Sequence, residues 1–464
     1  MAEAVNQKPT KKFKWWQKLL IILVAIIVII AIIFGVCYTI GAIGRKANLD
    51  YAKSVAVLAY DNEQIKPELQ TYTIEGKDYK FWTFTTDRDF KVLQLTDIHI
   101  GAGFLSTQKD NWALKACESL IRQEKPDLVY VTGDIGWPVP YSSGTIDNIP
   151  PVEQFSTLME SLNVYWTFVF GNHDTEVYSL HDRKYISDWY LEHIKNGNLK
   201  YCLYTSYEDF SGVDENNTEY EEIEKGYGYG NQMIVVKNTA GKITQGLIGL
   251  DSGSYESGFL RNYDHIHQVQ IDLYNSMIES LKIANGNVMP KTMVFFHIPI
   301  EEYKIAWLDL MDNNYKDTEN TIYDFGSLGE SGKMVYSGVT ASGFFEDLIS
   351  KESTQAVFCG HDHLNNFSVL YDGLVDKSRE IFKDELEELE PLTIEGNPKK
   401  IKIRLTYSLS IDYIAYPLIA TQTAQRGGTV ITLKNDGNGS YEVYGRVLHD
   451  MSILGKTAIK SETK

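Results

Sequence analysis

The sequence predicts an α/β fold that follows a membrane-spanning helix. Three observations lead to this prediction: five apolar runs typical of buried strands, two segments of helical spacing between them, and a long uncharged stretch near the N-terminus. Each apolar run ends in a short cluster of aspartate, asparagine or histidine residues. The runs cover residues 91–95, 128–131, 164–170, 293–296 and 356–359.

Helical segments separate the first three strands. The first helix begins near Thr107, and the second follows Pro150 and Pro151. Their apolar residues recur every three or four positions: Trp112, Ala116, Leu120 and Ile121, then Phe155, Leu158, Met159 and Leu162. This β-α-β-α-β succession is typical of parallel sheets, in which ligands bind outside the carboxyl ends of the strands. The polar clusters are therefore expected to share one pocket.

The residue types in these clusters indicate a metal site. The clusters are Asp97-Ile98-His99, Gly133-Asp134, Gly171-Asn172-His173-Asp174, His297 and Gly360-His361-Asp362-His363. Carboxylate, imidazole and amide oxygen ligands suit manganese, iron or zinc, and no Cys-x-x-Cys pair is present. Two such metals about 3.5–4 Å apart can hold a phosphoryl group and activate water, provided that a carboxylate bridges them.

In their residue types and their order along the chain, the five clusters resemble the motifs of the calcineurin-like metallophosphoesterase superfamily. The similarity spans roughly residues 90–447 and is greatest to the branch of small purple acid phosphatase-like enzymes. It implies a sandwich of two mixed β-sheets flanked by helices. It also implies a hydrolase that cleaves phosphomonoesters by in-line attack of a dimetal-bound hydroxide, with two divalent or trivalent ions (manganese, iron or zinc) as cofactors.

The resemblance also implies a role for each residue. One metal would be held by Asp97, His99 and His363, and the other by Asn172, His297 and His361, with Asp134 bridging. His173 would be the catalytic residue that helps the leaving oxygen depart. Asp174 and Asp362 would orient neighbouring imidazoles. Purple members carry a tyrosine a few residues after the bridging aspartate, whereas Ile135, Gly136 and Trp137 follow it here, which argues against an iron-tyrosinate site.

Other polar residues receive a more ordinary interpretation. His265 and His267 lie two residues apart in a predicted helix over 264–281, so they should point to different sides and not share a metal. Asp251 follows a predicted strand over 246–250 in an Asp-Ser-Gly triplet. This triplet is common in turns, so Asp251 is expected only as a candidate for the substrate pocket.

The N-terminus predicts a single membrane span. Residues 19–43 contain no charge and exceed the roughly 20 residues needed to cross a bilayer. A cleaved signal peptide is the alternative, but its apolar core is usually shorter. Five lysines precede the span, which favours a cytoplasmic N-terminus (1–18) and an extracytoplasmic catalytic domain, at the cell surface or in an organelle lumen.

The rest of the chain is predicted as one large domain. We expect a stem and first strand over 44–89, a catalytic domain over 90–450, and a tail over 451–464. Insertions are expected near 176–230, 301–340 and 376–399. The metal motifs span so much of the chain that a division into smaller catalytic domains is excluded.

The distribution of charged residues limits the kinds of partner that the protein is expected to bind. The first 46 residues hold seven Lys or Arg and one acid, which leaves 61 acidic against 37 basic residues in the remainder. Such a domain is not expected to bind nucleic acid, and no protein partner is predicted. A small phosphorylated substrate and the lipid bilayer are the expected partners. Two alternatives remain. One is phosphodiester hydrolysis at the same site, acting on a nucleotide or a phospholipid headgroup, and the other is a non-catalytic scaffold of the same fold.

Overall fold

The computed structural model describes residues 14–206, 228–256, 262–330, 335–375 and 401–459. The helices of this part are α1 Trp15–Ser54, α2 Thr107–Glu124, α3 Ile149–Leu162, α4 Arg183–Lys195, α5 Gln268–Ala284, α6 Glu302–Asp312 and α7 Phe344–Lys351. The strands are β1 Glu68–Ile74, β2 Lys77–Thr85, β3 Phe90–Leu95, β4 Leu128–Thr132, β5 Trp166–Val169, β6 Gln232–Lys237, β7 Ile243–Gly249, β8 Thr292–Phe295, β9 Thr321–Phe325, β10 Thr354–Cys359, β11 Ser368–Tyr371, β12 Ile403–Tyr407, β13 Gly427–Leu433, β14 Tyr441–Val447 and β15 Ile453–Ile459.

Two mixed sheets form the centre of the molecule. A nine-stranded sheet has the order β1-β2-β6-β7-β8-β10-β12-β11-β9, and a six-stranded sheet has the order β15-β14-β13-β3-β4-β5. Aromatic rings join their facing sides: Tyr130 on β4 stacks on Phe295 of β8 at 4.1 Å, and Phe295 stacks on Phe358 of β10. These contacts confirm the predicted sandwich of two mixed sheets.

Helices cover the outer faces of both sheets. Buried apolar residues of α2 and α3 pack on the six-stranded sheet, and those of α5, α6 and α7 pack on the nine-stranded sheet. The strands predicted before the five clusters are all present, as β3, β4, β5, β8 and β10, and the two predicted helices are α2 and α3. Strands β3, β4 and β5 run parallel to one another, as do β8 and β10. Their carboxyl ends bring the clusters of both sheets together.

Helix α1 continues beyond the predicted membrane span. Instead of a stem after residue 43, the helix extends to Ser54 and packs on the catalytic domain through Gly41, Gly44, Asn48 and Ala52, which are buried. Asn48 donates a hydrogen bond to the carbonyl of Thr107 at 3.1 Å. The buried positions lie three or four residues apart, so they form one face of the helix.

Both sheets include strands outside the range 90–450. Strands β1 and β2, in the segment expected to hold a stem and the first strand, belong to the nine-stranded sheet, and β15, in the expected tail, pairs with β14. The predicted insertion over 301–340 contains α6, whose Tyr303 is fully buried and donates a hydrogen bond to the carbonyl of Val357 at 3.0 Å. This segment is part of the core because it covers the sheet. The whole insertion expected over 376–399, and residues 207–227 of the one expected over 176–230, lie outside the described residues.

Candidate metal centre

The loops that follow the strands hold unusual backbone conformations. Asp97, His99, Asp134 and His361 have positive φ angles of 51°, 54°, 55° and 79°. Such angles are uncommon for residues with a side chain and occur often at functional sites, where surrounding contacts hold them. The amide of His99 donates to the carbonyl of Asp134 at 3.0 Å, so the first two loops support each other.

One group of side chains gathers around Asp97. The ligand atoms of Asp97, His99, Asp134 and His363 all lie within 4.8 Å of one another, and all four side chains are buried. Nε2 of His99 lies 3.2 Å from Oδ2 of Asp134, and Nε2 of His363 lies 3.6 Å from Oδ1 of Asp97. This group consists of the residues expected to hold the first metal.

A second group adjoins the first at the same carboxylate. Nε2 of His297 lies 3.2 Å from Oδ2 of Asp134 and 3.1 Å from Oδ1 of Asn172. Nδ1 of His361 lies 2.9 Å from the same oxygen of Asn172. These residues are the ones expected to hold the second metal. Oδ2 of Asp134 lies between the two groups, 3.2 Å from Nε2 of His99 and 3.2 Å from Nε2 of His297.

The donor set fits two metal ions. Ligand atoms about 2.0–2.2 Å from one ion lie roughly 3 Å from one another, and the distances of 2.9–3.6 Å between these side chains match that spacing. Nitrogen and oxygen donors without thiolates are suited to manganese, iron or zinc. The seven expected ligands therefore lie close enough to one another to hold two adjacent metal ions that share Asp134.

The electrostatics of Asp134 suit a bridging role. Burial by itself would raise the pKa of its carboxyl group, but the imidazoles of His297 and His173 hold that pKa well below its usual range. Its Oδ1 accepts a hydrogen bond from the amide of His173 at 2.8 Å. A Cβ on Gly171 would lie 2.1 Å from Oδ1, so this approach requires glycine. Asp134 is thus fixed and ionised where a bridging ligand is needed.

The carboxylate of Asp412 lies beside the imidazoles of two expected metal ligands, His99 and His363. Its Oδ1 lies 3.0 Å from Nδ1 of His99, and its Oδ2 lies 3.2 Å from Nδ1 of His363. The Nε2 atoms of both histidines are turned toward the metal position, as in the usual carboxylate–histidine–metal arrangement. Asp412 was not among the predicted residues, although it too lies in the loop that follows a strand, β12.

Asp174 and Asp362 were expected to orient neighbouring imidazoles, but their carboxylates bind other groups. The carboxylate of Asp174 accepts hydrogen bonds from the backbone amides of Asp134, Gly136 and Gly171 at 3.0, 2.9 and 2.8 Å. It therefore fixes the loop that carries the bridging aspartate. Burial raises its pKa to about 6.

Asp362 instead holds the loop of its own cluster. Oδ2 accepts hydrogen bonds from the hydroxyl of Tyr407 at 2.6 Å, the amide of Tyr336 at 3.0 Å and the side chain of Asn365 at 3.2 Å. Burial raises the pKa of Asp362 to about 7. Asp362 therefore joins its own loop to Tyr336 and Tyr407.

His173 lies beside the expected metal ligands, and the carboxylate of Glu176 contacts its ring. Nδ1 of His173 is 2.6 Å from Oε1 of Glu176, and this oxygen also accepts a hydrogen bond from the hydroxyl of Tyr255 at 3.1 Å. The ring packs against Trp137, with centroids 4.2 Å apart. With Nδ1 directed to Glu176, Nε2 is the nitrogen left for a substrate. The sequence analysis missed Glu176, although it lies three residues after His173.

Asp251, the expected pocket candidate, is part of a buried ion pair. Its carboxylate contacts the guanidinium of Arg183 and accepts a hydrogen bond from the amide of Tyr229 at 2.8 Å. Arg183 also donates to the carbonyl of Gly171 at 2.7 Å. The pair joins the loop after β7 to the loop of Asn172 and His173, so it supports the site from behind.

His265 and His267 differ from their expected arrangement. Helix α5 begins only at Gln268, and both histidines lie in the loop before it, with ring centroids 4.5 Å apart. Their predicted separation was wrong because it assumed helical geometry for this loop. Together with Asp264 they could bring ligand atoms within 4.8 Å of one another.

Comparisons with known proteins agree with this geometry. Residues 90–365 match the family described as calcineurin-like phosphoesterase. The "Probable inactive purple acid phosphatase 28" of Arabidopsis thaliana is 26% identical over 307 residues, which cover 61% of this chain and 68% of that protein. The "Probable inactive purple acid phosphatase 14" of the same plant is 27% identical, with coverage of 63% and 70%. The "Phosphatase DCR2" of Saccharomyces cerevisiae is 26% identical over 63% of this chain and 47% of its own length.

The family match covers more than half of the chain and includes the five clusters. Asp412 lies beyond the matched residues. The two sheets, the order of the clusters and the buried Asp/His group are all consistent with that match. The chain belongs to the calcineurin-like phosphoesterase family and, within it, resembles the purple acid phosphatase-like branch.

Proposed function

We propose that this protein is a membrane-anchored, metal-dependent phosphatase that hydrolyses phosphomonoesters. The observation that carries the proposal is the position of Asp134, whose Oδ2 lies 3.2 Å from Nε2 of both His99 and His297. Two ions bound there would supply a nucleophile at neutral pH and would neutralise charge on the phosphoryl group. The name of the yeast relative, a phosphatase, supports the same class of reaction.

The protein side chains have separate tasks in this reaction. Asp97, His99 and His363 would hold one ion, and Asn172, His297 and His361 the other. His173 is the group placed to give a proton to the leaving oxygen, with Glu176 fixing its ring through Nδ1. Trp137, which is buried against His173, limits the access of water to that side of the site.

A non-catalytic role is the main alternative, because two of the relatives are named as probably inactive. The described structure favours an enzyme, since all seven ligands and His173 are present and within contact distance of one another.

The activity can be tested on the full chain purified in detergent. Protein loaded with manganese, iron or zinc should hydrolyse an aryl phosphomonoester, with an aryl phosphodiester as the paired substrate. Asp134→Asn should abolish turnover and lower the metal content, whereas Asp188→Asn, an exposed aspartate of α4, should change neither. Full activity in the metal-free protein would overturn the two-metal mechanism. A clear preference for the diester would replace phosphatase by phosphodiesterase.

Helix α1 is the membrane anchor in this proposal. Its apolar residues over 19–43 are almost all exposed, which is the arrangement of a helix that faces lipid. With Trp15 and Trp16 at one interface, roughly 20 residues would reach the other interface near Tyr38. Gly41, only three residues further, is already buried, and a Cβ there would lie 3.3 Å from the backbone nitrogen of Phe104. The anchor would therefore hold the catalytic domain directly against the membrane surface.

The orientation can be tested by labelling single cysteines in intact cells. In the proposed topology, Asp188→Cys is labelled by a membrane-impermeant maleimide, and Lys14→Cys is labelled only after permeabilisation. The native Cys117, Cys202 and Cys359 are buried, so they should give little background. The reverse pattern would place the catalytic domain in the cytoplasm and contradict the proposal.

A further inference from the structure

Four metal-binding side chains lie together outside the centre described above. They are Glu256, Asp264, His265 and His267, here called the rim cluster. Two short backbone segments carry them: the amide of Asp264 donates to the carbonyl of Ser254 at 3.3 Å, and Tyr255 pairs with Tyr263 in an antiparallel bridge. The cluster therefore joins the segment after β7 to the loop before α5.

The distances within the rim cluster match those of a metal site. Nε2 of His267 lies 2.8 Å from Oδ1 of Asp264, and Nδ1 of His265 lies 3.6 Å from the same oxygen. Nδ1 of His265 is also 3.3 Å from Oε1 of Glu256. Ligands 2.0–2.1 Å from a tetrahedral zinc ion are about 3.3 Å apart. The ligand atoms of Asp264, His265 and His267 lie within 4.8 Å of one another, so one ion could contact these three, and Glu256 would join them by a movement of its side chain.

The nitrogen of His265 at the centre of the cluster lacks an ordinary partner. Within the described part of the chain, Nδ1 is buried and makes no hydrogen bond, although two carboxylates are close to it. A metal ion held between this nitrogen and the neighbouring carboxylates would give the buried nitrogen a partner.

The surrounding structure holds these side chains in place. A Cβ on Gly253 would lie 2.2 Å from the carboxylate of Asp264, and a Cβ on Gly338 would lie 3.2 Å from Cβ of His265. The hydroxyl of Thr340 donates to Oε1 of Glu256 at 3.1 Å. The side chains of the cluster are 17–37% exposed, so an ion can reach them from solvent.

We propose that the rim cluster binds a zinc ion, separate from the two metals of the catalytic centre. Two imidazoles and two carboxylates form a donor set that zinc accepts in tetrahedral geometry. The ion would fix the positions of Tyr255 and Tyr263, which adjoin the rim cluster in sequence. Tyr255 accepts a hydrogen bond from Asn172 at 3.2 Å, and the ring of Tyr263 lies 4.3 Å from that of His361. The rim zinc is thus a structural ion that supports one wall of the active site.

The test is the number of zinc ions bound per full-length chain. After treatment with a chelator and dialysis against zinc, the wild type should bind three ions and His265→Ala/His267→Ala should bind two. His181→Ala/His193→Ala is the matched control, because those rings stack on Tyr185 and Trp189 outside any metal cluster, and it should bind three. Equal zinc content in the wild type and the His265→Ala/His267→Ala variant overturns the proposal.

A second measurement covers the case in which the double alanine variant does not fold. Glu256→Gln keeps the size of the side chain and removes one ligand, so it should weaken the third zinc at least tenfold. In Asp134→Asn/Asn172→Ala, the rim zinc should remain even though the catalytic metals are weakened. This result is independent of enzymatic activity, so the failure of the proposed function and the failure of the rim site can be distinguished. Unchanged zinc affinity in Glu256→Gln counts against the rim site.

Discussion

Oδ1 of Asp412 lies 3.0 Å from Nδ1 of His99, at the back of the candidate metal centre. Both side chains are fully buried. Burial by itself would raise the pKa of Asp412, but the imidazoles of His99 and His363 hold it well below its usual range. Asp412 therefore supplies the fixed negative charge that directs the opposite nitrogen of each ring toward a metal.

Removing this charge should weaken metal binding. Asp412→Asn keeps the shape of the side chain, and changes of such partners typically cost about 10–100-fold in metal affinity. A metal titration of the purified protein, followed by counting of bound ions, measures the effect. Asp188→Asn, in an exposed ion pair with Lys184, is the control. Wild-type affinity in Asp412→Asn would show that Asp412 is only a packing residue.

Glu176→Gln should reduce turnover without loss of metal. Glu176 lies 2.6 Å from Nδ1 of His173 and so fixes the ring that donates the proton. The expected fall in kcat is smaller than the roughly 10²–10⁴-fold loss for His173→Ala, because the ring itself remains. Steady-state kinetics with an aryl phosphomonoester and metal analysis of the same samples check this. A changed metal content in Glu176→Gln would mean that Glu176 supports the ligands rather than the acid.

Gly44→Ala should loosen the contact between α1 and the catalytic domain. A Cβ at Gly44 would lie 2.3 Å from Oγ1 of Thr107, so the helices must move apart at a cost of about 1–3 kcal/mol. Gly35→Ala is the matched control, because no atom lies within 4 Å of its added Cβ. The free energy of unfolding in detergent should fall for Gly44→Ala and not for Gly35→Ala. Equal stability of the two variants would contradict the docked arrangement of α1.

Glu302→Gln should make stability less dependent on pH. Burial raises the pKa of Glu302 to about 7, whereas an exposed glutamate has a value of about 4.3. The folded state therefore keeps its proton where the unfolded state has lost it. The stability that this protonated group contributes is complete below about pH 4.3 and is lost as the pH rises toward 7.

The measurement for Glu302 is chemical unfolding of metal-free protein at pH 4.5 and pH 7.5. The wild type should lose on the order of a few kcal/mol more than Glu302→Gln between these pH values. Glu192→Gln, on the exposed side of α4, should behave like the wild type. The same loss in Glu302→Gln as in the wild type would mean that the buried carboxyl group does not control this pH range.

Local patterns were sufficient to predict much of the fold. Apolar runs predicted β3, β4, β5, β8 and β10, because a buried strand needs apolar side chains on both faces. The polar cluster after each strand then predicted the seven side chains that meet at the strand ends and His173 beside them. The predicted boundaries failed where a segment depends on distant contacts. Helix α1, for example, extends to Ser54 because Gly44 and Asn48 pack against α2.

The sequence by itself determined which residue types end the strands, and hence that a metal centre was to be expected. Only the tertiary structure decided which carboxylates serve the metal ligands and which serve the backbone. Asp174 and Asp362 adjoin the histidines in sequence, yet they bind backbone amides and a tyrosine, whereas Asp412 comes from a distant strand end. The reason is physical: the partner of a buried side chain is set by the packing of the two sheets, and neighbours along the chain can point in opposite directions.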